Sequence, residues 1–350
     1  MEMEASEERK RPQFGNRLLR DEKEIFKHNA WDDVSWTDEQ LADAEKKIEA
    51  NSEVRFSSQE LNEFESSAAS FWNSFYETHQ TRFFKDRHWL FTEFPELCVT
   101  EGTPEESGTQ PKRTSSEEFP GASYQARILE VGCGAGNSIF PILESARGLF
   151  VYGCDFSEVA LKLVESHPDF NPDRCRVFQS DVSSDELNFP FPEKSLDAIL
   201  LVFVLSAIHP DKMQRTILNL TEYLKPGGKI LFRDYGRYDM AQLRFKPGRC
   251  LGQNFYARGD GTRVYFFTHD EVDDLFVRAG LQKSSNHIDR RLQVNRGKQL
   301  TMYRVWIQAV YFRVPDDGPV GIPDNGPVGI PDDGPVRVPD DRPVDVVKLL

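Results

Sequence analysis

Short apolar runs alternate with amphipathic segments through the middle of the chain. Segments of suitable length for a helix separate most of these runs, notably 156–166 and 210–223. The runs are rich in Val, Ile, Leu and Phe and lie at 127–131, 149–154, 176–179, 196–205 and 229–232. Nearly continuous apolar strands that alternate with helices are typical of a parallel sheet covered on both faces. The pattern therefore predicts an α/β domain.

The pattern changes on either side of this domain. After the fifth run, a long polar and aromatic insertion at 234–268 precedes a helix at 269–279, and a strand pair follows at 284–292 and 301–312. Upstream, Thr37-Asp38-Glu39-Gln40 has the form of a capping box and predicts a helix to about Ala50. A second helix is predicted from Gln59 to about Thr78.

Two segments lack the composition of a packed core. The C-terminal segment repeats every eight residues, and two prolines in each repeat disfavour both helix and ladder pairing. Residues 99–123 are rich in Glu, Ser, Thr, Gly and Pro, which is typical of a linker. We therefore expect four regions, namely a helical N-terminal region at 1–98, a flexible linker at 99–123, a catalytic domain at 124–313 and a disordered tail at 314–350.

Charge is distributed unevenly along the chain. The formal net charge is −14, but residues 314–350 carry −5 and residues 99–123 carry −3. Residues 233–313 hold fifteen Arg and Lys against eight Asp and Glu, a net of +7. Because salt at physiological concentration limits the electrostatic field of a charge to roughly 8 Å, a ligand responds to this local excess of positive charge rather than to the net charge of the chain. The basic stretch is either a phosphate-binding surface or a solvated face with ion pairs.

Several features indicate a cytoplasmic protein. The strongly apolar stretch 198–205 is far shorter than the roughly 20 residues of a membrane helix, so no membrane association is expected. The N-terminus is acidic and lacks an apolar leader segment. The five cysteines form no CxxC pair, which favours free thiols over a disulfide framework or a zinc site. We expect no bound metal.

A glycine-rich turn is the sharpest chemical signal. Glu130-Val131-Gly132-Cys133-Gly134-Ala135-Gly136 follows a predicted strand and opens a helix, and its glycines allow a ligand to approach the backbone closely. Asp155 ends the second strand, where a carboxylate can accept hydrogen bonds from both ribose hydroxyls. Asp181 follows the third strand, within reach of an adenine amino group. A nucleoside cofactor is therefore predicted at this sheet edge.

Two cofactor classes compete for this pattern. A dinucleotide site uses Gly-x-Gly-x-x-Gly, but Asn137 occupies the third glycine position here. With Asp155, Asp181 and the turn Leu224-Lys225-Pro226-Gly227-Gly228, the motif resembles class I S-adenosylmethionine-dependent methyltransferases over 124–312. The resemblance implies a Rossmann-like, mostly parallel seven-stranded sheet and S-adenosylmethionine as cofactor. A dehydrogenase is the alternative.

Two further segments bear on the methyl acceptor. Residues 83–94 place Lys85, Arg87 and His88 among aromatic residues, and this segment is either part of the substrate site or a flap with Arg87 paired internally. The insertion interleaves Arg with Tyr and Phe from Arg233 onward, a composition that suits phosphates and unpaired, stacked bases. The two segments together favour RNA as the substrate.

The same segments carry a more specific resemblance. Phe83-Phe84-Lys85-Asp86-Arg87-His88-Trp89, residues 203–213, Arg233-Asp234-Tyr235-Gly236 and residues 258–267 are similar to tRNA N3-methylcytidine methyltransferases of the methyltransferase-like family. Residues 13–17 and 28–32 resemble its cytosolic branch, which acts on threonine and arginine tRNAs. The resemblance covers about 12–312 and implies a target cytidine at the first nucleotide of the anticodon loop. It also implies that some members use a tRNA-binding helper protein.

The motif and the resemblance together assign candidate residues. Cofactor contacts are expected at Trp72, Tyr76, Arg87, Gly132, Gly134, Gly136, Asp155, Asp181, Val182 and Val202. tRNA contacts are expected at Lys85, His88, Arg233, Arg237, Arg258 and Arg263. Cys133 is interpreted as a small packing residue and His209 as a helix cap.

Cytosine chemistry suggests how the acceptor is held. N3 carries a lone pair at neutral pH, so the enzyme needs alignment more than a strong base. Asp234 is the first candidate to hold the exocyclic amine, with Tyr235 or Phe203 as a stacking wall and Arg87 near the methionine end of the cofactor. The alternative for Asp234 is an ion pair with Arg233 or Arg237. Rival functions are a small-molecule methyltransferase, a protein methyltransferase and a cofactor-binding scaffold for a catalytic partner.

Overall fold

The structure is a computed structural model, and it describes residues 17–97 and 118–315. The expected linker therefore lies outside the described residues up to residue 117, and the expected tail lies outside them from residue 316 onward. The last linker residues, by contrast, pack onto the domain. Arg127 Nη1 donates to the carbonyl oxygens of Gly121, Ala122 and Tyr124 at 3.3, 3.1 and 3.0 Å.

An eight-stranded sheet forms the centre of the fold. Its order is β1-β10-β11-β6-β5-β2-β3-β4, and the pairs from β6 to β4 are parallel, whereas β1, β10 and β11 pair antiparallel. The strands are β1 (Ala30–Asp32), β2 (Ala126–Val131), β3 (Leu149–Asp155), β4 (Cys175–Gln179), β5 (Leu196–Val202), β6 (Leu224–Tyr235), β10 (Leu281–Asn295) and β11 (Leu300–Arg313). The mostly parallel sheet is confirmed.

The eighth strand was not predicted. β1 has three residues, so it is too short to show a period-two pattern. It is held by pairing of Trp31 with Leu292, and the indole N–H of Trp31 donates to the Ile25 carbonyl at 2.8 Å. The N-terminal region thus contributes a strand to the same sheet as the catalytic domain.

The described residues contain nine α-helices. They are α1 (Asp38–Ser52), α2 (Ser58–Ser66), α3 (Ala68–His79), α4 (Leu90–Glu93), α5 (Ile139–Ser145), α6 (Glu158–Glu165), α7 (Pro210–Glu222), α8 (Met240–Leu243) and α9 (His269–Arg278). The capping box at α1 is confirmed, because the Gln40 N–H donates to Thr37 Oγ1 at 3.2 Å and the Thr37 N–H donates to Gln40 Oε1 at 3.0 Å. His209 caps α7 as expected, and its Nδ1 accepts from the Asp211 N–H at 3.3 Å.

The predicted long helix at 59–78 is instead two helices. α2 and α3 meet at Ser67, whose ψ of 5° departs from helical geometry. The Ser67 N–H donates back to the carbonyls of Glu63 and Glu65, which closes α2. Adjacent serines favour such breaks because they compete for backbone hydrogen bonds. The predicted strand at 196–205 is also shorter than expected and ends at Val202.

The N-terminal helices join the insertion to the cofactor side of the domain. The insertion forms a three-stranded sheet of β7 (Cys250–Gly252), β8 (Phe255–Ala257) and β9 (Arg263–Tyr265), on which Phe64 of α2 packs. Phe75 and Tyr76 of α3 pack on Ala160 of α6 and on Ala135 of the glycine-rich turn. The described residues form one compact unit.

Candidate active site

The glycine-rich turn follows β2 and is packed closely against neighbouring side chains. Gly132 and Gly134 have φ values of +61° and +55°, a left-handed conformation that favours glycine. A Cβ added at Gly132 would lie less than 3.0 Å from the Val204 side chain, and one added at Gly134 would lie less than 3.0 Å from Tyr76 Oη. The turn is therefore a backbone cradle that accepts only glycine at these two positions.

Asp155 lies beside this cradle at the end of β3. Its Oδ2 accepts from the Gly134 N–H at 2.9 Å, and its Oδ1 accepts from the Ser157 N–H at 2.9 Å. Burial raises the pKa of Asp155 to about 6, and the backbone hydrogen bonds oppose that rise. Because each carboxylate oxygen offers a second lone pair, Asp155 can also accept hydroxyl groups of a sugar.

A cavity of about 570 Å³ brings nearly all the expected cofactor residues together. Trp72, Tyr76 and Arg87 line it from the N-terminal region, and the remaining lining residues of the expected set are Gly132, Gly134, Asp155, Asp181, Val182 and Val202. Gly136 is the exception. It lies outside the lining, and a Cβ added there would lie less than 3.0 Å from the Phe140 ring, so its role is to let α5 pack closely.

Arg87 and Glu130 form a buried ion pair beneath the cavity. Arg87 Nη1 donates to Glu130 Oε1 at 3.2 Å and to Ser138 Oγ at 2.8 Å. Burial raises the pKa of Glu130 to about 7, while Arg87 opposes that rise. Arg87 is thus paired internally, as the flap interpretation expected, and it still lines the cavity.

Phe203 and Tyr235 form an aromatic wall of the same cavity. Their ring centroids lie 5.1 Å apart at an interplanar angle of 48°, and the Arg258 guanidinium lies 5.8 Å from the Tyr235 ring centroid. Phe203 has a φ of +59°, which is strained for a bulky residue and occurs where surrounding contacts fix the backbone. The wall, made of Phe203, Tyr235 and Arg258, can stack a flat ligand.

Asp234 is placed differently from its expected position. Its side chain is fully buried and lies outside the cavity lining. Oδ2 accepts from the Ser206 N–H at 2.9 Å, and Oδ1 accepts from the Tyr235 N–H at 2.8 Å. Neither of the expected ion pairs with Arg233 or Arg237 is present. The structure therefore does not support direct contact between Asp234 and a substrate amine; the carboxylate instead positions the backbone of the aromatic wall.

The expected tRNA-binding residues divide into three groups. Lys85, Arg258 and Arg263 line the cavity, and Arg263 is paired with Glu65. Arg237 lines a different cavity, and His88 is exposed outside both cavities. Arg233 is 4% exposed, and its Nη2 lies 2.6 Å from Asp289 Oδ2. A buried, paired guanidinium is not available to a phosphate, so the expected role of Arg233 is not supported.

Among the Trp, Lys and Arg residues that line the cavity, four escaped the sequence-based assignment. They are Trp89, Lys212, Arg304 and Trp306. The Trp306 ring has the guanidinium groups of Arg233 and Arg304 each 4.8 Å from its centroid. Alternation along β11 places Arg304 and Trp306 on one face, a period-two signal that was available in the sequence.

Comparison with known proteins identifies the family. A family model described as a methyltransferase domain matches residues 129–230. The chain is 57% identical over 322 residues to the tRNA N(3)-cytidine methyltransferase METTL2 of Xenopus tropicalis, a match that covers 87% of this chain and 96% of that relative. The chain belongs to the tRNA N(3)-cytidine methyltransferase family. The METTL2 of Danio rerio is 55% identical, with 89% and 92% covered, and the trm140 protein of Schizosaccharomyces pombe is 41% identical, with 85% and 91% covered.

Membership in this family settles several expectations. The predicted family, the methyltransferase fold and the enzyme class are confirmed, and the cofactor is S-adenosylmethionine. Among solved structures, a Burkholderia thailandensis 1,6-didemethyltoxoflavin-N1-methyltransferase with bound S-adenosylhomocysteine is 18% identical, with 72% of this chain and 90% of that chain covered and a TM-score of 0.44.

Within residues 17–97 and 118–315, no helix is both long and apolar enough to cross a membrane. In the same part of the chain, no three His, Cys, Asp or Glu side chains form a group suited to a metal ion.

Proposed function

We propose that the chain methylates N3 of an unpaired cytidine in tRNA, at the first nucleotide of the anticodon loop of threonine and arginine tRNAs. The observation that carries this proposal is that one cavity joins the glycine cradle and Asp155 to the aromatic wall. A cofactor subsite and a stacking subsite in one cavity are what transfer to a flat base requires. Relatives that are named tRNA N(3)-cytidine methyltransferases support the choice of base and atom.

The cofactor subsite fits S-adenosylmethionine through the chain's own groups. Gly132 and Gly134 line the cavity, so a ligand there can lie against their backbone, and Asp155 can accept the sugar hydroxyls. Asp181 lines the cavity, and its Oδ1 accepts from the Ser183 N–H at 2.9 Å, which orients the carboxylate. When bound there, S-adenosylmethionine supplies a methyl group attached to a positively charged sulfur.

The acceptor subsite must orient the base rather than remove a proton. Cytosine N3 is buried in base pairs of a duplex, so the base must leave the stack before it can react. Phe203, Tyr235 and Arg258 would hold it by stacking, which is tolerant of the base and worth about 1–3 kcal/mol. Asp234 acts one step away, because its hydrogen bonds to the Ser206 and Tyr235 N–H groups fix the wall.

Lys and Arg side chains around the cavity would bind the phosphates of the tRNA backbone. Lys85, Lys212, Arg258 and Arg304 all line it; Lys212 is paired with Glu65 and Arg304 with Asp239, so Lys85 and Arg258 are the first candidates. The slope of log affinity against log salt is negative, and each phosphate contact that is lost reduces its magnitude by about 1. Arg258→Gln should therefore weaken tRNA binding and flatten this slope. Arg278→Gln is the matched control, because Arg278 is exposed and paired with Asp274 outside both cavities. Equal slopes for the two variants would contradict the assignment.

The proposal extends to the cellular compartment of the chain and to a tRNA-binding helper protein. Cys133, Cys154, Cys175 and Cys250 are free and buried, which suits a reducing compartment, and we place the chain in the cytoplasm. Some family members are expected to use a tRNA-binding helper. Methylation of purified tRNA by the chain alone, with and without cell extract, would reveal such a requirement.

Nucleoside analysis tests the proposed function. The purified chain is incubated with methyl-labelled S-adenosylmethionine and total tRNA, and the RNA is digested to nucleosides for mass spectrometry. Label in 3-methylcytidine is the expected result, and Asp155→Asn should lower its yield. Label confined to small molecules or to protein would favour a rival methyltransferase, and binding without transfer would favour a scaffold.

A further inference from the structure

A second cavity of about 480 Å³ lies behind the first. Along β11, Arg304 and Trp306 line the cofactor cavity, whereas Val305 and Ile307 line the second cavity. Because successive side chains of a strand point to opposite faces, the two cavities lie back to back on the same strand. Nothing in the function proposed above uses the second cavity.

The second cavity is cationic in a chain whose net charge is −14. Arg237 and Arg290 line it, and its described lining includes no Asp or Glu. Four carboxylates outside the lining are hydrogen-bonded to lining residues. Asp270 Oδ1 lies 3.0 Å from His269 Nδ1, and Glu45 accepts from Tyr238 Oη at 3.1 Å. Glu271 Oε2 accepts from the Thr268 N–H at 2.7 Å, and Asp239 Oδ2 accepts from the Val305 N–H at 2.9 Å. The charge of the cavity therefore favours an anionic ligand.

Arg237 is incompletely satisfied by the protein. Its Nε is buried and has no hydrogen-bond partner among the described residues. The guanidinium lies over the Tyr238 ring, 5.1 Å from its centroid. A buried donor without a partner is unfavourable, so an acceptor supplied by a ligand would relieve it once the side chain turns toward the cavity.

Aromatic side chains give the cavity a second recognition property. Trp36 and Tyr238 both line it, with ring centroids 6.0 Å apart, and Phe267 is a third aromatic residue of the lining. A small inorganic anion has no use for such walls. Unpaired RNA bases, in contrast, stack on aromatic rings and on arginine planes while their phosphates pair with cations. The combination fits a nucleotide.

The linings of the two cavities meet at the carboxyl end of β6. Tyr235, the last residue of this strand, lines the first cavity, and Arg237, two residues further along the chain, lines the second. We propose that the second cavity binds one unpaired nucleotide of the RNA loop other than the cytidine that is methylated. This inference rests on the proposed function and adds a second point of loop recognition to it.

Abasic substitution tests the proposal. Full-length tRNA transcripts receive a single abasic nucleotide at each loop position in turn, except at the target, and their affinities for the intact chain are measured by fluorescence anisotropy. One position should lower affinity by roughly 5- to 100-fold, the range expected for one stacked base. Arg237→Gln, and independently Trp36→Ala, should weaken binding of the unmodified tRNA by a similar factor. In either variant, the abasic nucleotide at the same position should lower the affinity only slightly further.

The control and the possible outcomes separate the two proposals. Arg278→Gln should retain the full abasic effect, and thermal unfolding confirms that each variant is folded. Two results would overturn the second nucleotide site even though methylation continues. In the first, the abasic nucleotide lowers affinity equally for Arg237→Gln and for the unsubstituted chain. In the second, Arg237→Gln weakens binding by the same factor for every RNA. A chain that methylates no cytidine in tRNA would overturn the proposed function itself, and this inference with it.

Discussion

Substitution of Gly134 tests the cofactor cradle through a predicted clash. In Gly134→Ala, the new Cβ would lie less than 3.0 Å from Tyr76 Oη, and the residue would keep a φ of +55°. The backbone conformation alone costs an L-residue about 1–2 kcal/mol. Displacing a packed side chain adds about 1–3 kcal/mol. Because Tyr76 lines the cofactor cavity, we expect its displacement to weaken S-adenosylmethionine binding at least tenfold.

A matched glycine separates the clash from the backbone strain. Gly227 has a φ of +80°, and a Cβ added there meets no atom within 4 Å. Gly227→Ala should therefore lose about 1–2 kcal/mol of stability and keep its cofactor affinity. Removing Tyr76 Oη leaves Cζ as the nearest atom, at 3.3 Å, so Gly134→Ala combined with Tyr76→Phe should bind better than Gly134→Ala alone.

Isothermal titration calorimetry with S-adenosylmethionine measures these affinities, and Tyr76→Phe alone serves as the baseline of the cycle. Unchanged affinity in folded Gly134→Ala would refute the cradle. An equal loss of affinity in Gly227→Ala, or no recovery in the double variant, would refute the role assigned to Tyr76.

Three further predictions concern the buried charges of the site. Burial raises the pKa of Asp155 to about 6, so protonation should weaken S-adenosylmethionine binding as the pH falls through 6; Asp155→Asn should bind about 10- to 100-fold more weakly at neutral pH and lose this pH dependence in calorimetric titrations. Arg87→Ala should lower the free energy of unfolding, measured by thermal unfolding, by about 3–5 kcal/mol because the buried Glu130 carboxylate loses its partner. Adding Glu130→Gln should recover part of that loss. An Arg87→Ala variant as stable as the unsubstituted chain would argue against the ion pair. Asp234→Asn should lower kcat with S-adenosylmethionine affinity unchanged in steady-state methylation assays, and the reverse pattern would place Asp234 at the cofactor instead.

The central fold could be predicted because its strands are buried on both faces. Ile128, Leu129 and Val131 are all buried in β2, and such continuous apolar runs are visible in sequence. Short elements gave no comparable signal, and β1 is held by pairing with β10 and by the hydrogen bond from the Trp31 indole to the Ile25 carbonyl. The break at Ser67 depends on hydrogen bonds within one turn, which the aromatic pattern of the region does not reveal.

Residues of the cavity lining were predictable where backbone geometry demands a residue type. Gly132 and Gly134 follow β2 and Asp155 ends β3, and their spacing in the sequence was enough to expect them at one sheet edge. Charged residues were less predictable, because sequence does not reveal pairing partners. Arg233 is buried with Asp289, 56 residues away along the chain, although its neighbours suggested a phosphate contact.

Fragment-resolved mass spectrometry of labelled tRNA tests the central claim most directly. The chain is supplied with deuterated methyl donor and a threonine tRNA transcript, and the RNA is then cleaved to identify the labelled nucleotide and atom. The account predicts one labelled methyl group, on N3 of the first anticodon-loop cytidine, and loss of that label when a complementary strand pairs the loop. Label on another atom, on another nucleotide, or equally on the paired loop would contradict it.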